Sequence, residues 1–207
     1  GFDNPGHHFH EMGTKGANCV ECHMPHKNYM VIDSRRDHSI RIPRPDLSAK
    51  FGHPNACNNC HSDKSFDWAA GAIERIKGPV RPKEARHPGA FHAYRSGAPG
   101  AEKLLLAASQ DESAPAFTQS GALLALRSFI SESSTEEAVR QLDSNQSVVR
   151  VAAVSKLESS EPSDLYQYLV PILRDSVRAV RTEAARVLAT LPRSYFKQEE
   201  LTLFEFL

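Results

Sequence analysis

No uninterrupted apolar run in the 207-residue chain approaches the roughly 18 residues of a membrane span, which excludes a transmembrane helix. Charge of one sign is missing as well. The 25 basic and 25 acidic side chains cancel, whereas a nucleic-acid binder normally carries a basic excess. A mean hydropathy of −0.45 with 24% charged residues describes an ordinary soluble protein, not a disordered one. Methionine is scarce, at 3 residues, and tryptophan occurs once. Cysteine is absent after residue 60, and only one glycine follows residue 100.

What is present divides the chain in two. Residues 1–95 hold most of the 11 Gly and 13 Pro and all 10 His. This stretch has little sustained apolar periodicity, and its Pro and Gly punctuate short segments. So loop-rich a stretch cannot easily form a dry core alone. A metal, disulfides or a bulky cofactor must fill its centre. Residues 96–207 are instead rich in Ala, Leu and Val at helical spacing. SNQSVVRVAAVSKL (144–157) aligns with DSVRAVRTEAARVL (175–188) at a shift of 31, pairing Val149 with Val180, Arg150 with Arg181 and Leu157 with Leu188. A further shift of 31 reaches SAPAFTQSGALLAL (113–126), with Ala122 and Leu126 in register. Repetition at one period predicts stacked helix pairs. Val177, Val180, Ala184, Val187 and Leu191 form one stripe, and Pro171 interrupts the first helix of its pair. The pattern resembles HEAT-type α-solenoid repeats, with a period shorter than usual; a plain helical bundle is the alternative.

Cys19-Val20-Glu21-Cys22-His23 and Cys57-Asn58-Asn59-Cys60-His61 are both C-x-x-C-H, and together they use every cysteine. This is the attachment signature of c-type haem. Two thiols three positions apart reach the two vinyl groups of a porphyrin and form thioethers, and the next residue turns its imidazole to the iron. A Cys₄ zinc site would have to close an unusually long loop and would leave His23 and His61 unexplained. Two C-x-x-C disulfides would be redox-active rather than structural, and a thioredoxin-like site would need a βαβ context. The expected cofactors are therefore two haem c groups, with Cys19, Cys22, Cys57 and Cys60 as thioether sulfurs and His23 and His61 as proximal ligands.

The opposite axial position takes Met or a second His. Met24 directly follows a proximal His and can hardly reach the other face, which leaves Met12 and Met30. Against these stand His7, His8, His10, His26, His38 and His53. Bis-histidine ligation is expected, giving low-spin iron with no vacancy for a substrate. His26 lies too close to His23 to share its iron easily, and His53 precedes Cys57 by four residues. His87 and His92 fall at the junction of the halves, where surface or packing roles are expected.

The run CVECHMP-x-x-x-YM-x-x-D-x-RRDHS-x-R-x-PRPDL, followed by PNACNNCH-x-DKS-x-x-WA, resembles a family of multihaem c-type cytochromes whose CxxCH domains precede HEAT- or TPR-like helical repeats. The resemblance covers roughly residues 7–77. It implies that His38, in the RRDHS segment, is a distal ligand, and that the cluster His7, His8 and His10 supplies others. Relatives usually carry further CxxCH motifs upstream of that cluster.

Arg35, Arg36, Arg41 and Arg44 crowd the segment between the motifs, and Arg forks pair well with carboxylates. Arg35, Arg36 and Arg41 are candidate partners of the haem propionates. Pro43 and Pro45 are expected to hold that segment extended. A helix is expected from Ser62 to about Lys77, ended by Gly78-Pro79, with Trp68, Ile73 and Ile76 as its apolar face and Trp68 against the second haem.

The expected fold is mainly α: a loop-rich dihaem cytochrome c domain (1–95) followed by an α-solenoid, HEAT-like repeat domain (96–207). Electron transfer is the expected function, without enzymatic activity of its own. Haem attachment places the mature protein in the periplasm or at the cell surface, after removal of a signal peptide. Redox partner proteins or further copies are the expected partners. A histidine near the N-terminus can reach a neighbour's haem, and such a head-to-tail contact would build a conductive filament. The alternatives are a subunit of a multihaem oxidoreductase with one five-coordinate haem, and an electron relay whose repeats dock a partner.

Overall fold

The computed structural model describes residues 1–78 and 87–204. The protein is mainly helical and divides into two compact units, Gly1–Arg81 and Pro82–Leu207. None of the described helices is long and apolar enough to cross a membrane.

The first unit is built from short pieces: α1 (Pro5–His8), α2 (Cys19–His23), β1 (His26–Tyr29), β2 (Asp33–Arg36), α3 (Pro45–Phe51) and α4 (Phe66–Lys77). The two strands form an antiparallel hairpin in which His26 faces Arg36 and Tyr29 faces Asp33. Its three-residue tip puts Met30 and Val31 in the left-handed region. The segment expected to run extended through Pro45 does not. Pro45 opens α3, where its fixed φ and missing N–H suit the first turn of a helix. Helix α4 begins at Phe66 rather than Ser62, because the Ser65 hydroxyl accepts the Trp68 N–H and caps it. It ends at Lys77, where Gly78 takes φ +79° and its N–H reaches the Glu74 carbonyl. Pro79 lies outside the described residues. Ala69 is buried, but Trp68 and Ile76 of the expected apolar face remain exposed.

In the second unit α5 (Pro88–Arg95) packs on the following helices: Ala90 lies in their core, Phe91 and Tyr94 lie against it, and the Tyr94 hydroxyl meets Ser128 Oγ at 3.0 Å. The change of architecture thus precedes this helix, which composition assigns to the first region. Then follow α6 (Ala101–Gln110), α7 (Ala116–Leu126), α8 (Glu132–Gln141), α9 (Ser147–Leu157), α10 (Pro162–Leu169), α11 (Arg178–Leu188) and α12 (Gln198–Phe204). Helices α7, α9 and α11 each run 11 residues and start at 116, 147 and 178, the same interval of 31 that separates the aligned segments. Each packs on the next, and Leu126, Leu157 and Leu188 are buried at equivalent places. Helix α10 stops at Leu169, and Pro171 opens a 3₁₀ turn. Val180, Ala184 and Val187 are buried along α11, while Leu191 is buried beyond its end.

Polar groups repeat with the helices. Arg150 and Arg181 each donate to the carbonyl six residues back, Ser144 and Asp175, at 2.8 Å. Glu158 receives Arg127 at 2.6 Å and Arg186 at 2.8 Å, tying three successive copies together.

Candidate cofactor-binding site

The first C-x-x-C-H segment is helix α2, so Cys19 and Cys22 lie on one face, one turn apart. The second forms a 3₁₀ turn, Cys57–Asn59, which eclipses positions three apart and brings Cys57 and Cys60 together. All four cysteines are free thiols. Burial raises the Cys22 thiol above its ordinary pKa, and Cys57 and Cys60 add to the effect. Burial likewise raises the Cys57 thiol.

The histidines meet in pairs. The ring centroids of His7 and His23 are 6.1 Å apart with planes inclined by 12°, and those of His10 and His61 are 6.1 Å apart at 33°. Two imidazoles on opposite sides of one metal ion, each nitrogen about 2 Å from it, have centroids roughly 6 Å apart. The pairs are therefore at the spacing of shared axial ligation. Among the described residues no three or more His, Cys, Asp or Glu side chains are grouped to hold an ion by themselves. An ion held between two imidazoles needs its remaining ligands from elsewhere, as from the four nitrogens of a macrocycle, and each pair has two thiols in the adjoining turn.

Hydrogen bonds orient two of these rings. His23 Nδ1 lies 2.8 Å from the Arg41 carbonyl, and His10 Nδ1 lies 2.5 Å from the His8 carbonyl. A carbonyl only accepts, so Nδ1 carries the proton in both rings and Nε2 keeps its lone pair for a metal. Gly16 is needed for the second ring, because a Cβ there would overlap the His10 imidazole. The other two rings pack on aromatics: Phe2 lies 5.3 Å from His7, and Trp68 lies 5.0 Å from His61. His7 has its pKa lowered first by burial and then by Lys77, His23 and His8, which favours the neutral imidazole.

His8 differs from its neighbours. Its Nδ1 accepts the His10 N–H at 3.2 Å, which puts the ring proton on Nε2. That nitrogen is buried without a hydrogen-bond partner. His38 is exposed and lies outside both pairs, lining a depression of about 370 Å³ with Tyr29, Met30, Asp33, Arg35 and Arg36. His26 stands on β1 near Ser34, His53 lies against Phe51, and His87 meets Asp111 at 2.9 Å.

The arginines are engaged by the chain itself. Arg36 donates to the carbonyls of Val20 at 3.1 Å and Met24 at 3.2 Å and to Glu21 at 2.7 Å, clamping the hairpin onto α2 and lowering the pKa of Glu21. Arg35 pairs with Asp33, and Arg44 forks onto Asp46. Arg41 lies on Ser39 and Asp37 with most of its side chain exposed, and its carbonyl receives His23.

Two supporting residues escaped the sequence reading. Buried Asp37 forms an ion pair with Lys27 at 2.6 Å and accepts both the N–H and the hydroxyl of Ser39, and these contacts, Lys27 first, hold its carboxyl well below the usual carboxylate range. It shapes the turn that delivers the Arg41 carbonyl to His23; an Asp two residues before a Ser is a recognisable turn signal. Asn58 donates to the carbonyls of His61 at 3.2 Å and Lys64 at 2.8 Å, fixing the chain beyond the second motif.

No family model, curated protein or solved structure matches the chain.

Proposed function

We propose that this chain is an electron-transfer protein bearing two covalently attached c-type haems in its first unit. Cys19 and Cys22 anchor one and Cys57 and Cys60 the other. His23 with His7, and His61 with His10, are the axial pairs. The observation that carries this reading is the recurrence of one 6.1 Å separation at both motifs, each between the motif's own histidine and a histidine of the 7–10 cluster. When bound, each haem supplies a one-electron ferric–ferrous couple. The four histidines would hold the two groups, two imidazoles to each iron, which would leave no position for a reactant and favours relay over catalysis. His7 and His10, three residues apart, each pair with one motif histidine, which would keep the two centres close enough for exchange between them.

The second unit, in this reading, is a HEAT-like array that holds a redox partner or a further copy on its extended surface. With both irons satisfied within one chain, a filament would be held by surface contact rather than by a shared histidine. An oxidoreductase would instead require an iron facing a single imidazole. Covalent haem attachment implies a periplasmic or cell-surface location.

Intact-protein mass and electron paramagnetic resonance test the proposal. Two added haem masses and two low-spin ferric signals are expected. Absence of the added mass overturns it. A high-spin ferric signal with carbon monoxide binding points to the oxidoreductase. Negative-stain microscopy separates filaments from discrete particles.

A further inference from the structure

The four paired imidazoles are held in two different ways. His23 and His10 are each fixed by an Nδ1 hydrogen bond to a backbone carbonyl. Among the described residues no hydrogen bond reaches either ring nitrogen of His61; what touches its ring is the Trp68 indole, at 5.0 Å and tilted by 51°. The backbone that carries the indole is fixed. The Ser65 hydroxyl accepts the Trp68 backbone N–H at 3.1 Å, which sets the first turn of α4, and Ala69, the next residue, is buried at 1% exposure. Asn58 meanwhile pins the His61 carbonyl and does not reach its ring. Backbone is therefore fixed from one side and ring from the other.

The contact resists the burial that would explain it as core packing. Trp68 remains 37% exposed, more than an indole recruited only to fill a core would be. A tilted ring contact at this distance is attractive beyond the area it buries, because the edge of one ring meets the face of the other. It can replace the missing carbonyl as the restraint on ring rotation.

We infer that Trp68 is the positioning residue for His61: its indole sets the rotation of that imidazole about the axis to the iron, the task that the Arg41 carbonyl performs for His23. The inference rests on the dihaem reading above. Ring rotation has a direct readout, since the spread of g values of a low-spin ferric haem follows the angle between its two imidazole planes. The two pairs, inclined by 12° and 33°, should give two separable signals.

The test uses the haem-loaded full chain with Trp68→Leu and Trp68→Phe. Leucine keeps apolar bulk without a ring; phenylalanine keeps a ring. In Trp68→Leu the largest g value of one signal should shift while the other stays, with both haem masses retained. Trp68→Phe should return the shifted signal towards the wild-type position. Two unchanged signals in Trp68→Leu overturn the inference and leave the dihaem reading standing. A shift of both signals, or an equal shift in both variants, also overturns it, because general loosening or lost bulk would then be the cause. A wild-type chain without two low-spin signals defeats the dihaem reading itself.

Discussion

From α5 to α12 the second unit buries a continuous set of Leu, Val and Ala side chains, whereas the first buries Ala17, Ala69 and Pro45 among its described apolar residues and leaves Phe2, Phe9, Met12 and Trp68 exposed. The two differ in what holds them. Helices α7, α9 and α11 are stabilised by burial against one another, roughly 25 cal/mol for each Å² of apolar surface removed from water. The first unit is tied by polar clamps: Arg36 on α2, Asp37 on Lys27 and Ser39, and Asn58 on the loop after His61. Its exposed aromatics flank the histidine pairs, as with Phe2 beside His7 and Trp68 beside His61. On the dihaem proposal, a unit arranged in this way would gain its apolar centre from the bound groups, whereas its neighbour buries its own side chains.

The comparison breaks most sharply at the cysteines. Replacing Cys19, Cys22, Cys57 and Cys60 with serine should abolish the haem spectrum and open residues 1–78 to protease, while the fragment from about residue 87 onward stays protected on a gel. Equal digestion of both units would erase the distinction. The next effect concerns one centre only. His7→Ala should convert about half of the low-spin ferric signal to high spin, whereas His8→Ala should leave both centres low-spin, since its Nδ1 is already occupied by the His10 N–H.

Within the second unit, Leu157→Ala should cost about 2–5 kcal/mol of stability by chemical denaturation, as expected for emptying a fully buried leucine site. The visible spectrum should not change. The smallest expected effect is at Asp111, whose carboxyl is lowered to about 2 by the hydroxyl of Ser113 and then by His87. A depressed carboxylate contributes stability that is full above its unfolded pKa, near 4, and is lost as pH falls towards 2. Asp111→Asn should therefore lower the thermal midpoint of the second unit at pH 6, and the gap from wild type should close between pH 4 and 2.

The helical array was largely legible. The 31-residue shift aligning Val149 with Val180 reappears as the interval between helix starts, because burial of one stripe repeats wherever the same apolar spacing repeats. Pro171 ending its helix was equally readable, since a missing N–H acts locally. The first unit was harder to read. The hairpin at residues 26–36 has no alternating apolar pattern, as all four residues of β1 are exposed. Helix α3 hid behind a proline that looked like an extender and serves as an initiator. Helix α4 starts later than Ser62 because the hydroxyl of Ser65 meets the free backbone N–H of Trp68.

Sequence by itself determined which atoms could do chemistry: four thiols and two adjoining imidazoles at fixed local spacing, and the apolar period of the array. Those are properties of a few consecutive residues or of one recurring interval. Only the tertiary structure decided that His7 and His10, not His8 or His38, face the motif histidines, and that Arg36 is turned to α2. Such choices depend on where α1, the hairpin and the turn at Asp37 come to rest. That is fixed by hydrogen bonds between segments up to 18 residues apart, as between His23 and Arg41, which no local pattern records.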